Sequence, residues 1–167
     1  IRCALRCEFN KIMLLNNDTT VDDKCLEQLN EFLDTDKKFD VVTPKICYYD
    51  NPDVIWNCGG KLTITGSRKY FYVNKKDNFN IKNEIKDITF ITGCALFARA
   101  DIFKKFGMLT EKFFFGEEDY DFSLRMKKNK VSMAALFSAK IFHKVGASEK
   151  VMFKKGKLPK VFIFYLN

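Results

Sequence analysis

Short apolar runs alternate along this chain with stretches of helical period. The run Lys11–Asn16 is continuous and apolar in its centre, which predicts a strand buried on both faces, as in a parallel sheet. Helical spacing follows it, and the apolar positions of that spacing are Val21, Cys25, Leu29 and Leu33. These positions predict an amphipathic helix of about three turns. Asp40–Thr43 then predicts a second strand, which Pro44 follows.

The rest of the chain continues this alternation. The β-prone segments Leu62–Thr65 and Tyr70–Val73 predict a small hairpin or meander, and Ile88–Thr92 predicts a further strand. A short helix is predicted over Ala100–Phe106, with Gly107 placed to end it. The remaining predictions are a helix from Glu117 to about Asn129 and strands at Val131–Ala135 and Ile141–His143. Strands that alternate with helices indicate the α/β class with a mixed sheet.

The composition fits one globular domain. The chain has 167 residues, of which 47% are hydrophobic and 30% charged, so it can bury a core and is not disordered. No apolar run reaches the roughly 18 residues of a membrane span. The segments Ile1–Asn10 and Val161–Asn167 look like the interior of a longer chain. We therefore expect a fragment of a larger protein, with Ile1–Asn10 as the tail of a preceding helix.

Net charge indicates which binding partners are expected, and cysteine content indicates the redox state of the thiols. The net charge is +8, and Lys supplies 24 of the 29 basic residues, whereas readers of base edges favour Arg. No nucleic-acid-binding signature is present, so we predict no nucleic-acid partner. A basic face instead suits diphosphate substrates or anionic lipid. The six cysteines form no C-x-x-C pair and fit no zinc pattern with the single His, which indicates reduced thiols in a cytosolic protein.

A polar cluster follows the first strand. Asn16, Asn17 and Asp18 stand where open α/β sheets bind their ligands, at the carboxyl end of a strand. A carboxylate beside amide oxygens can hold Mg²⁺ or Mn²⁺. The alternative is that Asp18 and Thr19 only cap the helix that follows.

A second acidic cluster, Glu117–Asp121, opens the later helix. Crowded carboxylates raise one another's pKa, which can make one of them a general base. Asp119 is the better candidate because it lies at the helix start and can face a cleft. The alternative is a solvated helix start, in which Asp121 pairs with Arg125 one turn later.

Two further residues have open interpretations. His143 ends a short apolar segment, and it is either a structural residue or a ligand of one of the acidic sites. Trp56 precedes Gly59 and Gly60, and its ring either stacks on a sugar or packs in the core.

Five segments, taken in order, resemble the family 2 glycosyltransferases, and the branch they resemble most is that of the rhamnosyltransferase-like bacterial enzymes. Each motif alone is weak, but the five together extend over most of the chain. The segments are Leu14–Thr19, Pro52–Gly60, Thr92–Phe97, Phe113–Arg125 and His143–Ser148.

The resemblance implies a GT-A fold, which is a Rossmann-like nucleotide-diphospho-sugar transferase domain with a mixed sheet flanked by helices. It implies that Asp18 is the surviving acid of a D-x-D-type motif, with Asn16 in place of the first acid, and that His143 is a later metal or diphosphate ligand. Asp119, in a pair with Glu118, would be the catalytic base.

The remaining site residues are also implied by the resemblance. Gly93 and Cys94 would line the acceptor side with Trp56 near them, and Asn16, Asn17 and Arg125 would contribute to substrate binding. The cofactor would be Mn²⁺ or Mg²⁺, bridging the diphosphate of a nucleotide-sugar donor, and the acceptor would be a glycan or a lipid-linked sugar.

The family usually begins with strands that hold the base and ribose, and none precedes Ile1. We therefore expect residues 1–167 to be a partial GT-A domain, the metal and acceptor half, missing its first strands. The expected activity is inverting, metal-dependent sugar transfer in polysaccharide or cell-wall synthesis. The expected location is cytoplasmic, at the inner face of the plasma membrane by peripheral association. The alternative is a catalytically inactive fragment or binding module that retains the fold.

Overall fold

A computed structural model describes residues 1–78, 84–113 and 116–145. Within these residues, nine strands and four helices follow one another along the chain. The strands are β1 (Lys11–Leu15), β2 (Thr19–Val21), β3 (Val41–Tyr48), β4 (Ile55–Asn57), β5 (Gly60–Leu62), β6 (Arg68–Tyr70), β7 (Ile85–Ile88), β8 (Ala95–Arg99) and β9 (Met133–His143). The helices are α1 (Arg2–Arg6), α2 (Cys25–Thr35), α3 (Ala100–Phe106) and α4 (Glu118–Lys128).

Seven strands form one mixed sheet. Its order is β1-β8-β3-β9-β2, with β4 added to β3 and β7 added to β9, while β5 and β6 form a separate hairpin. The β3–β9 pair is parallel, whereas the pairs of β8 with β1 and β3 are antiparallel. The mixed α/β sheet predicted from the sequence is confirmed, and it is consistent with a GT-A-like fold.

Two apolar layers cover the two faces of the sheet. Neighbouring residues of β9 alternate between them, since Met133 packs in one cluster and Ala134 in the other. One layer includes Phe103 of α3 and Phe122 of α4, and the other includes Leu29 and Leu33 of α2. The sheet therefore lies between α2 on one side and α3 with α4 on the other, as period-2 alternation in a buried strand requires.

The first strand differs from its prediction. β1 exists, but it pairs only with β8 and is antiparallel to it. Of its residues only Ile12 is buried, and Leu15 is exposed. The prediction of a parallel strand buried on both faces was therefore wrong, because β1 lies at the edge of the sheet among the described residues.

Several element boundaries also differ. Val21 belongs to β2 and not to the helix, which begins at Cys25. β3 continues through Pro44 because its register with β9 shifts between Pro44 and Lys45, and this irregularity tolerates a residue without an N–H. The predicted strand at Ile88–Thr92 is largely wrong, since β7 ends at Ile88.

The later elements are closer to expectation. α4 matches the predicted acidic-led helix, and α3 ends at Gly107, whose φ of 85° is a conformation that glycine adopts readily. The two short strands predicted after α4 are one continuous strand, β9. The predicted hairpin exists but is shifted toward the chain start, because its strands are β5 and β6.

Candidate functional site

Asp18 and His143 are brought together by the sheet. β2 follows Asp18 directly, and Thr19 at its start pairs with His143 at the end of β9. The backbone N–H of Lys144 donates to the carbonyl of Asp18 at 2.9 Å. His143 Nε2 consequently lies 3.1 Å from Asp18 Oδ1, and both side chains are largely buried. The predicted proximity of these two residues is therefore present in the structure.

The hydrogen bonding around Asp18 does not fit a capping role. Asp18 Oδ1 and His143 Nδ1 are buried and have no hydrogen-bond partner among the described residues. Lys24 is the N-cap residue of α2, and no side chain forms a capping hydrogen bond at this helix end. The capping role considered for Asp18 is therefore wrong for this helix, and the orphaned oxygen is suited to a ligand that the protein itself does not supply.

The pair fits a divalent cation in part. Two ligand atoms 3.1 Å apart match neighbouring positions around an octahedral ion with bonds of about 2.1 Å. Within residues 1–78, 84–113 and 116–145, no group of three or more His, Cys, Asp or Glu side chains gathers around one point. A magnesium-type ion commonly has few protein ligands and completes its shell with water and substrate phosphate. Asp18 and His143 therefore supply two of the protein ligands that such an ion would need.

The environment of His143 favours the neutral imidazole. Burial lowers the pKa of His143, and the nearby Asp18 carboxylate only partly opposes this. A neutral imidazole is the form that binds metals. Trp56 of β4 packs edge-on against the His143 ring, with ring centroids 4.5 Å apart. Trp56 therefore restricts the imidazole from one side, and it also packs against the apolar layer that contains α2, in line with the core-packing alternative.

Asn16 and Asn17, predicted to bind substrate, precede Asp18 in the chain, and Cys94, predicted for the acceptor side, contacts their turn through its backbone. Asn16 and Asn17 are exposed in the turn between β1 and β2. The backbone N–H of Asn16 donates to the carbonyl of Cys94 at 3.0 Å, and Thr19 Oγ1 donates to the carbonyl of Asn16 at 2.6 Å. Burial raises the pKa of Cys94 to about 12. Cys94 is therefore a neutral thiol whose backbone positions the Asn16 turn.

Asp119 lies in the first turn of α4 and points toward the same segment. Its Oδ2 accepts a hydrogen bond from the Gly93 N–H at 3.1 Å. Burial raises the pKa of Asp119 above its ordinary value and Glu118 adds to this rise, while the Gly93 N–H and Arg68 oppose it. A carboxylate with a raised pKa is a stronger base once it is ionised. Asp119 thus combines burial with a neighbouring carboxylate, two conditions that raise the pKa of an acid.

The Thr92–Cys94 turn joins the two halves of the site. Gly93 binds Asp119 through its N–H, and the next residue, Cys94, accepts the N–H of Asn16. A Cβ placed on Gly93 would lie 3.7 Å from Glu118 Oε1, so Glu118 also lies beside this turn. The residues predicted for the donor side and the acceptor side therefore meet at one turn, although they come from distant parts of the sequence.

Sequence reasoning missed a second contact network at the start of α4. Arg68 of β6 forms an ion pair with Glu117 and lies over the Tyr120 ring, 4.7 Å from its centroid. Tyr120 in turn donates its hydroxyl to the carbonyl of Gly66 at 2.7 Å. These contacts attach the β5–β6 hairpin to the helix turn that carries Asp119. No local pattern around Arg68 indicates this, because the pairing depends on a tertiary contact.

Arg125 occupies a structural position. Its Nε donates to Asp121 at 2.9 Å, which confirms the predicted pair of Asp121 and Arg125. Its other nitrogens donate to the carbonyls of Phe106, Gly107 and Met108. The guanidinium therefore holds the end of α3 against α4, and we assign it no substrate contact.

Parts of the resembling motifs fall outside the described residues. These parts are Phe114, Phe115 and the segment Gly146–Ser148. Within the described ranges, no helix has the length and apolar character needed to cross a bilayer.

Comparisons with known proteins add three findings. A comparison with curated proteins finds no match. Among solved structures, the chain is similar to the crystal structure of A197 from STIV, with a TM-score of 0.53 and 13% identity. The aligned part covers 85% of this chain and 61% of that chain, so this chain spans less than two thirds of the length of A197. At this identity the similarity shows the fold alone.

A family model gives the family itself. The model described as glycosyl transferase family group 2 matches residues 11–153, a span that includes every residue of the site described above. Because this match covers most of the chain, the chain belongs to glycosyl transferase family group 2.

Proposed function

We propose that this chain transfers a sugar from a nucleotide-diphospho-sugar to a hydroxyl group of a glycan or lipid-linked acceptor, with inversion at the anomeric carbon. The observation that carries the proposal is the Thr92–Cys94 turn. On one side of it Gly93 binds Asp119, and on the other side Cys94 binds the turn that leads to Asp18. Single displacement needs a donor site and a base that are separate but adjacent, and this turn supplies that arrangement.

The donor side is Asp18 with His143. These residues would hold a Mg²⁺ or Mn²⁺ ion, whose chemistry is to neutralise charge on the departing diphosphate. Asp18 contributes an orphaned carboxylate oxygen, and His143 contributes an imidazole that burial keeps neutral. Trp56 restricts the imidazole from one side. The exposed amides of Asn16 and Asn17 border the pair and are suited to hydrogen bonding with the donor.

The acceptor side is Asp119. Its carboxylate accepts the proton of the acceptor hydroxyl while that oxygen forms a bond with the anomeric carbon. The bond between the anomeric carbon and the diphosphate oxygen breaks, and its electron pair leaves with the diphosphate. The Gly93 N–H orients the carboxylate, and Glu118 keeps its proton affinity high.

Two finer points belong to the same proposal. The transferred sugar is a hexose, as the resemblance to rhamnosyltransferase-like enzymes suggests. The net charge of +8 favours peripheral contact with an anionic membrane surface, where a lipid-linked acceptor would be available.

The test replaces Asp119→Asn and measures both sugar transfer and donor binding. Loss of a general base costs about 10²- to 10⁴-fold in turnover, whereas binding of UDP, GDP or dTDP with Mn²⁺, measured by calorimetry, should change little. Asp121→Asn is the matched control. It removes a carboxylate from the same turn of α4, and that carboxylate is paired with Arg125.

Two outcomes would contradict the proposal. Full turnover by the Asp119→Asn protein would remove Asp119 from the reaction. Nucleotide binding without turnover in the unaltered protein, over a panel of donors and acceptors, would instead indicate a binding module that retains the fold.

A further inference from the structure

A cavity of about 460 Å³ lies between β3, β9 and the beginning of α2. Its volume is within the range of small-molecule sites. None of the residues that line it belongs to the site described above. The cavity is lined by Lys24, Lys45 and Lys140.

The floor of this cavity is a buried charge cluster. Lys45 is 3% exposed, and its Nζ donates to Asp77 Oδ1 at 2.7 Å. Lys140 Nζ lies 3.1 Å from the other carboxylate oxygen of Asp77 and donates to the Pro52 carbonyl at 3.0 Å. One carboxylate thus serves two ammonium groups. Burial raises the pKa of Asp77, but its bonds to the two lysines outweigh this and hold the pKa below its ordinary value.

The cavity carries an excess of positive charge. Three lysines line it, and two carboxylates, Asp22 and Asp77, face them. Asp77 is already shared between Lys45 and Lys140, and Lys24 forms no ion pair within the described ranges. Lys45 and Lys140 are largely buried and share one carboxylate, so their cluster retains one uncompensated positive charge, which is costly in a partly buried site. An anion bound in the cavity would remove that cost, and the exposed Lys24 can contact the same anion.

We propose that this cavity binds an oxyanion, the phosphate group of inorganic phosphate or of a small phosphorylated metabolite. Lys24 and Lys140 contact the phosphate oxygens, and the Ser138 side chain on the cavity wall supplies a neutral donor. Lys45 and Asp77 form the floor that orients Lys140. Compact ammonium groups beside hydroxyl donors are a common arrangement around phosphate. The proposal does not depend on sugar transfer, since none of these residues belongs to the site around Asp18 and Asp119.

The first test measures phosphate binding by calorimetry, in EDTA and at ionic strength held constant with NaCl. The unaltered chain should bind inorganic phosphate saturably. Lys24→Gln should weaken binding by about 10- to 150-fold, as loss of one charged hydrogen bond does. Lys37→Gln is the matched control, because Lys37 is equally exposed but lies beyond the other end of α2. Equal losses in the two variants, or no saturable binding, would overturn the proposal.

The second test separates a ligand site from a purely structural ion network. Asp77→Asn removes the carboxylate that competes with the anion for Lys45 and Lys140. The variant should melt at a lower temperature without phosphate, and phosphate should raise its melting temperature more than that of the unaltered chain. A structural network predicts the same loss with no recovery by phosphate, which would overturn the proposal.

Comparison of two probes identifies the source of the phosphate group. Ribose 5-phosphate that binds more tightly than inorganic phosphate supports a phosphorylated metabolite as the ligand. Equal affinity supports free phosphate. If Asp77→Asn does not fold, the comparison of Lys24→Gln with Lys37→Gln still decides the proposal, because both positions are exposed.

Discussion

Asp18 and Asp119 are both aspartates of the candidate site, but their surroundings differ. The nearest partner of Asp18 is an imidazole ring 3.1 Å away, and one carboxylate oxygen lacks a hydrogen-bond partner among the described residues. Asp119 accepts a backbone N–H, and a second carboxylate, Glu118, lies beside it. The first arrangement leaves lone pairs for an external cation, and the second raises proton affinity. Two identical side chains are therefore prepared for different chemistry by their neighbours.

Asp18→Asn should give the largest effect and tests most directly whether Asp18 and Asp119 have different roles. This change should weaken nucleoside-diphosphate binding in Mn²⁺ by at least about 10- to 100-fold, because loss of even an outer-shell partner of a metal ligand has an effect of that size. Asp119→Asn should leave the same affinity within about twofold, because the base does not hold the diphosphate. Calorimetry with and without Mn²⁺ gives both values, and the exposed Asp23→Asn serves as the control. Equal weakening by the two variants would show that the carboxylates share one role.

The pH dependence of transfer should follow Asp119. Activity requires the ionised carboxylate, so turnover should fall about tenfold per pH unit below the raised pKa of Asp119. Glu118 raises this pKa and Arg68 lowers it. Glu118→Gln should therefore move the acidic limb to lower pH, and Arg68→Gln should move it to higher pH. Acidic limbs that do not move in opposite directions would contradict the electrostatic role of these neighbours.

The ionised form of Asp119 should also lower the free energy of unfolding of the chain. Between the ordinary pKa of 3.8 and the raised folded value, the folded chain retains a proton that the unfolded chain has lost. Stability therefore falls as pH rises through this window and stays lower above it. Asp119→Asn should raise the melting temperature at pH 7 by about 2–4 °C, which corresponds to about 1 kcal/mol for a chain of this size. A melting temperature lower than that of the unaltered chain would mean that the ionised carboxylate stabilises the fold.

The smallest effect is expected at Gly93. A Cβ there would lie 3.6 Å from the Asp119 Cβ, which is ordinary contact, so Gly93→Ala should change the free energy of unfolding by less than about 1 kcal/mol. Gly60→Ala is a contrasting control, because its Cβ would clash with the Lys69 carbonyl oxygen and should destabilise the chain strongly. Thermal unfolding of both variants gives the result. A large loss at Gly93 would show that its lack of a side chain has a structural role.

Elements with their own local signal were predictable from the sequence. α2 and α4 show helical period and an acidic first turn, so their position followed from the pattern, with errors at the ends only. The two-strand prediction for β9 failed because Ser138 and Lys140 interrupt its apolar run. Both residues line the cavity beside α2, so this polarity belongs to a buried pocket and not to a loop.

Features that depend on distant partners were not predictable in the same way. Strand direction at β1 is determined by β8, far along the chain, and no local period reports it. The proximity of Asp18 and His143 was expected only through the family resemblance. Arg68 had no signal at all, because its function as a contact of Glu117 exists only after the hairpin has packed against α4.

The parallel pairing of β3 with β9 also affects the order in which parts of the chain can fold during synthesis. β3 leaves the ribosome long before β9, and contacts between such distant segments form slowly. His143 reaches Asp18 only after β9 has docked, so the site cannot form before the chain has been synthesised through His143. During that interval the apolar residues of β3 lack their final neighbour. β3 contains Pro44 and Lys45 in the middle of its apolar run. Proline and lysine both discourage a strand from pairing with a second chain, so they would protect β3 before β9 has paired with it.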